Sequence, residues 1–274
     1  MADQQHNNYP DTLMLIQNSF TTILLDAIQF YPQESKRHKA ESHGLLFGNI
    51  QKGIFECDYI FPVGNVAYRK DDEIKNNPKV DEAIKNAKHL LSTSKCYGDY
   101  HSHPNTLSFN GWAGPSNMDV LYAKSLKLPY MIIIAISRSS LFEKQLSIEC
   151  LRSKRKEYHY EKKAGDHDCP REELIEGESA YIEGRFKKYK FEMRAYKYEA
   201  NCLREINLIS SEAEMLIELI KNDIDIENLM PEMTYGLRKI EYDFRVLGTQ
   251  DNNNMERAKQ NLLYHINRIK GLKG

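Results

Sequence analysis

Two histidines set two residues apart, His101 and His103 in Gly98-Asp-Tyr-His-Ser-His-Pro104, and an acid in Ser116-Asn-Met-Asp119 are the side chains in this chain best suited to chemistry. In an extended segment alternate side chains point the same way, so the two imidazoles share one face and Ser102 takes the other. With Asp119 they make three protein ligands, the number a catalytic zinc site uses when it keeps a fourth position for water. Zinc held by His101, His103 and Asp119 would lower the pKa of that water from 15.7 towards about 7 and polarise a substrate carbonyl. Such a site also needs a carboxylate that is not a ligand, to accept the water proton and return it to the leaving amine. Glu41 is the candidate, because it opens the apolar run Leu45-Leu-Phe47, a place where a carboxylate needs a reason. Ser116 can donate a hydrogen bond to the oxyanion of a tetrahedral intermediate, a role that contributes about 3 kcal/mol per donor.

Each of these residues also has a plain structural reading. His101 and His103 fit as polar strand residues, and Ser116 with Asp119 matches a helix capping box. Glu41 fits as a surface carboxylate at a loop end. It is their joint occurrence, in this order, that favours the site.

The elements that must position them follow from the hydrophobic pattern. Asp11 caps a predicted helix carrying Leu13, Ile16, Phe20, Ile23, Leu24 and Ile28, ended by Tyr31-Pro32. Predicted strands cover 44–48 and 54–61, with a polar exposed loop from 62 to 77. Pro78 opens a helix running to Ser94, with Val80, Ile84, Ala87, Leu90 and Leu91 on one face. A strand returns at 96–100 and is closed by Pro104. Ser116 starts a short helix with Met118, Leu121, Tyr122 and Leu126 inward, ended by Pro129. The unbroken apolar run 130–136 predicts a strand covered on both faces. Strands at 146–151 and 157–160 complete this part, so interleaved strands and helices predict an α/β or α+β sheet up to residue 163.

Beyond Pro170 the pattern predicts long helices without strands. Phe186, Tyr189, Met193 and Tyr196 form one stripe. Met233, Leu237, Ile240, Phe244 and Leu247 form a second, and Met255, Ala258, Leu262, Ile266 and Ile269 a third. The last two are joined by a polar turn, as in an antiparallel helical hairpin. The expected domains are therefore 1–165 and 170–274.

The 274 residues suffice for one large domain or two ordinary ones, and 41% hydrophobic with 28% charged residues is a globular composition. A formal net charge of -1 provides no overall field towards nucleic acid or membrane. The N-terminus lacks the pattern of a signal peptide and no apolar run reaches membrane-spanning length, so a cytoplasmic location is expected. The five cysteines are dispersed without a CxxC pair, which predicts reduced thiols rather than a disulfide framework. Asp166-His-Asp-Cys169 reads as a solvated loop, and His43, His89 and His159 as unrelated to the motif.

Taken together, Glu41-Ser-His-Gly-Leu-Leu-Phe-Gly48, His101-Ser-His-Pro104 and Ser116-Asn-Met-Asp119 resemble the successive parts of the JAMM (MPN+) metalloprotease signature. The resemblance extends over about residues 11–160 in element order. It implies an α/β fold, a JAMM/MPN-like (cytidine-deaminase-like) mixed sheet sandwiched by helices, here followed by a mostly helical C-terminal region. It implies one zinc ion per chain held by His101, His103 and Asp119, with Glu41 as general acid/base and Ser116 at the oxyanion. The implied activity is hydrolysis of the peptide or isopeptide bond after the tail of a ubiquitin-like protein. The expected partners are that protein or its conjugates, and a protein partner or second copy through the C-terminal helices, with no nucleic acid and no membrane. Two alternatives are a catalytically silent scaffold of the same fold and a peptidase acting on small substrates or carrier proteins. The chain departs from the family in the stretch 105–115, which is longer than the usual spacer; either it bulges without moving the ligands and Trp112 forms part of the cleft wall, or it covers the site or displaces Asp119.

Overall fold

The computed structural model describes residues 9–31, 40–63, 66–69, 74–76, 78–91, 94–109, 111–126, 128–138, 146–162 and 169–222. In chain order the elements are β1 (Thr12–Leu15), α1 (Ser19–Phe30), β2 (His43–Gln51), β3 (Ile54–Pro62), β4 (Val66–Arg69), β5 (Ile74–Asn76) and α2 (Pro78–Leu90). There follow β6 (Lys95–Asn105), α3 (Asn117–Leu126), β7 (Tyr130–Arg138), β8 (Ser147–His159), β9 (Arg171–Phe186), β10 (Tyr189–Glu199), β11 (Cys202–Ser210) and α4 (Ser211–Lys221). Nine of the strands close into a barrel in the order β1-β11-β8-β9-β10-β7-β6-β2-β3, with β11 also pairing with β10, while β4 and β5 form a separate ribbon. No helix among the described residues is long and apolar enough to cross a membrane.

The pivot of the sheet is β7. Its sequence Tyr130-Met-Ile-Ile-Ile-Ala-Ile136 is buried along its whole length, as the unbroken apolar run predicts. Alternation then divides its side chains between two cores. Ile132, Ile134 and Ile136 join Leu13, Leu15, Phe20, Ile23, Phe55, Tyr100, Phe191 and Met193 on the α1 side. Met131, Ile133 and Ala135 join Trp112, Val120, Ala123, Tyr158, Tyr196 and Leu203 on the α3 side. β7 lies parallel to β6 and antiparallel to β10, so β6, α3 and β7 form a parallel crossover unit.

Sheet closure corrects the expectation of a sheet sandwiched by helices, because the described helices are few and the sheet wraps on itself. The chain after Pro170 is corrected most. Residues 171–210 form three long strands, and α4 is the helix described beyond them. The stripe of Tyr189, Met193 and Tyr196 belongs to β10, where Tyr189, Phe191, Met193 and Ala195 alternate with Lys190, Glu192 and Arg194. This segment fits a period of two as well as one of three to four, and burial on both faces of the sheet decided between them. The charges can be buried because they pair: Arg194 Nε donates to Glu192 Oε1 at 2.6 Å and Arg194 Nη1 lies 3.3 Å from Glu205 Oε1. The boundary expected at residues 165–170 is crossed by the sheet, since β10 pairs with β7 and β11 with β1. The stripes beginning at Met233 and Met255 lie outside the described residues.

Smaller differences have equally local causes. The helix expected from Asp11 begins at Ser19, because Leu13-Met-Leu15 forms a central strand between β3 and β11, buried on both faces. Pro104 does not end β6: the strand continues to Asn105, with Pro104 opposite Ile136 in the parallel pair. Strands expected at 146–151 and 157–160 are one strand, β8, with an irregular register between Lys154 and Lys156. The buried face of α3 is shifted, with Leu121 and Leu126 of the expected face half-buried. The helix buries Asn117, Val120 and Ala123, while Met118 and Tyr122 are exposed. Small side chains at those positions let the helix pack closely against the sheet.

Candidate metal centre

Alternation along β6 sorts the motif. Tyr100 and Ser102 face the α1 side, where Tyr100 joins the core and donates from its hydroxyl to Asp26 Oδ2 at 2.7 Å. Asp99, His101 and His103 face the α3 side, in register with Met131, Ile133 and Ala135 of β7. The close approach of the two strands needs Gly98, where an added Cβ would stand 2.5 Å from the Tyr130 carbonyl oxygen. Strand and helix then meet at Asp119, the third residue of α3.

Ser116 and Asp119 form the capping box in full. Asp119 Oδ2 accepts from Ser116 N at 2.6 Å and from Ser116 Oγ at 2.9 Å, and Asp119 N donates back to Ser116 Oγ at 3.2 Å. The structural reading of this pair therefore holds, and it serves the site as well, because it locks the carboxylate in one orientation. His101 Nε2 lies 3.1 Å from Asp119 Oδ1, His103 Nε2 lies 3.3 Å from Asp119 Oδ2, and the two Nε2 atoms are 3.1 Å apart. Ligands held about 2.1 Å from a tetrahedral zinc stand about 3.4 Å from one another; the two imidazole nitrogens meet that spacing to within a few tenths of an ångström, and the carboxylate presents a different oxygen to each of them.

The electrostatics call for a cation. Burial disfavours ionisation of Asp119, yet the neighbouring His101 charge, with hydrogen bonds from His101 and His103, holds its carboxyl well below the usual range. Burial likewise works against protonation of His101, but Asp119, then Glu41 and Asp99, outweigh it and push the imidazole up to about 9. A proton is held among these groups where a divalent ion can replace it. Two nitrogens and a carboxylate oxygen suit zinc.

Glu41 precedes β2 and stands alongside the ligands. His43 pairs with His101 across the two strands, and Ser102 N donates to Ser42 O at 2.9 Å, so Glu41 comes next in line beside His103. Its charge acts on His101. Three groups not expected at the site surround it. His43 lies with its Nε2 3.4 Å from the Tyr122 hydroxyl of α3. Asp99 is 1% exposed and its Oδ2 has no hydrogen-bond partner; burial, reinforced by Asp119 against His101, pushes it up to about 7. Period-two counting back from His101 finds Asp99, and forward from Glu41 finds His43. Tyr122 depended on the face of α3, which apolar size had misassigned.

The long stretch before Ser116 leaves Asp119 in place. Trp112 is buried with Val120, Ala123 and Tyr158 under α3, so neither alternative open for it holds, and Tyr196 Oη donates to Ala113 O at 2.7 Å. Of that stretch, Trp112 and Ala113 pack beneath the helix that carries the ligand, while Leu107 and Phe109 are exposed.

Residues 27–146 match the family of prokaryotic homologs of the JAB domain, a segment that contains Glu41, His101, His103, Ser116 and Asp119. The JAMM/MPN resemblance is thus supported over that segment, in a family that includes metalloproteases. No curated protein matches the chain. Among solved structures, the solution structure of protein DSY2949 from Desulfitobacterium hafniense is similar at 16% identity and a TM-score of 0.38, covering 73% of this chain and 92% of that one.

Proposed function

We propose that the chain is a zinc-dependent metallopeptidase that hydrolyses the peptide or isopeptide bond after the extended tail of a ubiquitin-like protein. The observation that carries the reading is the triangle of His101 Nε2, His103 Nε2 and the Asp119 carboxylate at 3.1–3.3 Å, with Glu41 on the adjoining segment. When bound, zinc supplies Lewis acidity, polarising the carbonyl and bringing the pKa of water towards about 7. Glu41 accepts the proton of the attacking water and delivers it to the departing amine. Ser116 has one hydroxyl hydrogen and gives it to Asp119. Turning it to the oxyanion leaves Asp119 still held by the Ser116 N–H, so the serine can serve both groups in succession.

The ubiquitin-like substrate rests on the resemblance of the motif to the JAMM (MPN+) signature. Among the described residues the main sheet ends in no terminal strand and the β4–β5 ribbon pairs only within itself. That ribbon follows directly from Val63, whose N–H donates to His43 O at 2.8 Å. It supports strand addition of an extended tail there, a mode that presents a carbonyl with few demands on side chains.

The test is zinc content together with cleavage of a ubiquitin-like fusion, set against small amides. Glu41→Gln should keep zinc and lose about 10²–10⁴-fold in rate, while His103→Ala loses both. A zinc-free wild-type protein with no cleavage favours the scaffold, and cleavage of small amides alone favours the small-substrate peptidase. Full activity in Glu41→Gln would sink the assignment.

A further inference from the structure

A second group of ligand-type side chains lies apart from the motif, at the seam where β8, β9 and β11 meet. His159 Nε2, at the end of β8, stands 3.7 Å from Glu157 Oε2 of the same strand and 3.7 Å from Glu173 Oε2 of β9. Cys202, the first residue of β11, is the cross-strand neighbour of His159. The ligand atoms of Glu157, His159 and Cys202 all lie within 4.8 Å of one another.

These separations are too long for hydrogen bonds. His159 Nε2 is buried and has no hydrogen-bond partner, a state that costs free energy unless something else satisfies the nitrogen. Ligands around a tetrahedral zinc stand about 3.4 Å apart, and a thiolate somewhat farther because its bond to the metal is about 2.3 Å, so small side-chain adjustments close the cluster round an ion. The charges agree. Cys202 is 3% exposed and surrounded by Glu157, Glu173 and Glu199, with Arg204 opposing them. Burial first, then these acids, push its thiol up to about 11. Glu173 gives its Oε1 to Arg171 at 2.9 Å and turns Oε2 towards His159. A cleft of about 360 Å³, lined by His159, Tyr198, Asn201 and Lys124, leads to the imidazole.

We propose that Glu157, His159, Cys202 and Glu173 form a second zinc site, separate from the motif site and structural in role. The ligand atoms of Glu157, His159 and Cys202 already lie within 4.8 Å of one another, and Glu173, whose Oε2 is 3.7 Å from His159 Nε2, closes in as the fourth ligand on binding; four protein ligands leave no open position, the pattern of a structural rather than a catalytic zinc. The site would pin the short register in which β11 meets β8, a pairing that spans Cys202 to Arg204 only. Binding exchanges a proton for the metal: the Cys202 S–H bond, which donates to Glu199 O at 3.1 Å, breaks, the proton leaves to solvent and the sulfur lone pair forms the zinc bond.

Cobalt(II) distinguishes this site from the motif site, which contains no cysteine. The full chain, stripped by chelation and loaded with cobalt(II), should show thiolate-to-cobalt charge-transfer absorption. The band should persist in His103→Ala and vanish in Cys202→Ser. With zinc, wild type should hold two ions per chain, His103→Ala one and Cys202→Ser one, and zinc should raise the Tm of His103→Ala. Should Cys202→Ser not fold, the wild-type band and the loss of one zinc in Glu157→Gln carry the test. Absence of the band in wild type, or its survival in Cys202→Ser, overturns the proposal and leaves the motif site untouched.

Discussion

Ser42 and Ser102 are joined twice across the first two strands of the site: Ser42 N donates to Ser102 Oγ at 2.7 Å and Ser102 N donates to Ser42 O at 2.9 Å. The serine between the two histidines therefore faces away from them and secures the segment that carries Glu41. β6 holds the two histidines and the segment leading into β2 holds Glu41, and this pair sets their spacing.

Replacing Ser102 by alanine removes the acceptor and leaves the Ser42 N–H unsatisfied, with both residues fully buried. The expected cost is about 1–3 kcal/mol in denaturant unfolding. Zinc content should be kept, because the ligands lie on the opposite face, while cleavage falls as Glu41 loses its restraint. A Ser102→Ala protein as stable and active as wild type would show that the hydrogen bond from Ser42 N to Ser102 Oγ carries no weight.

Trp112 makes the converse case. Buried beneath α3 with Val120 and Ala123, it should cost about 3–5 kcal/mol on replacement by alanine, with activity per folded molecule kept. Loss of activity at unchanged stability would instead put the indole at the cleft.

Asp11 gives a pH signature away from the site. It lies 2.5 Å from Lys197 Nζ and 2.8 Å from Arg204 Nη2, tying the start of β1 to β10 and β11. Burial opposes its ionisation, but Lys197, Arg204 and Arg155 outweigh it and hold the carboxyl below its ordinary 3.8. A depressed folded pKa stabilises above the unfolded value and loses that stabilisation as pH falls through the folded one. Unfolding curves of wild type and Asp11→Asn should therefore differ most above pH 3.8 and converge in stronger acid. A gap that stays constant with pH would mean the charge of Asp11 is not the source.

What could be read from the sequence follows the range of the interactions involved. His101 with His103 and Ser116 with Asp119 are two- and three-residue spacings, and local geometry alone places each pair. β7 was legible because an unbroken apolar run too short for a membrane span fits best as a strand covered on both faces. The strand nature of 189–199 was not, because Tyr189, Met193 and Tyr196 satisfy a helical period as well, and only pairing with β7 and β9 resolves it. The face of α3 was misread because Met118 and Tyr122 are the larger apolar groups, yet Val120 and Ala123 allow the closer approach. Barrel closure joins Leu13 to Leu208, and no local pattern announces a partner at that distance.

That last pairing bears on the order in which the protein can be made. β1 sits between β3 and β11, so during synthesis it has one edge that stays unpaired until one of the last described strands has followed it. Chains generally fold N-terminal parts first, and late long-range pairings are slow. A nascent chain halted before residue 202 would hold the whole metal-binding motif in a sheet with open edges, prone to pair with other chains. The completed β11 removes that hazard, so the region once expected to be a separate module is the one that seals the barrel.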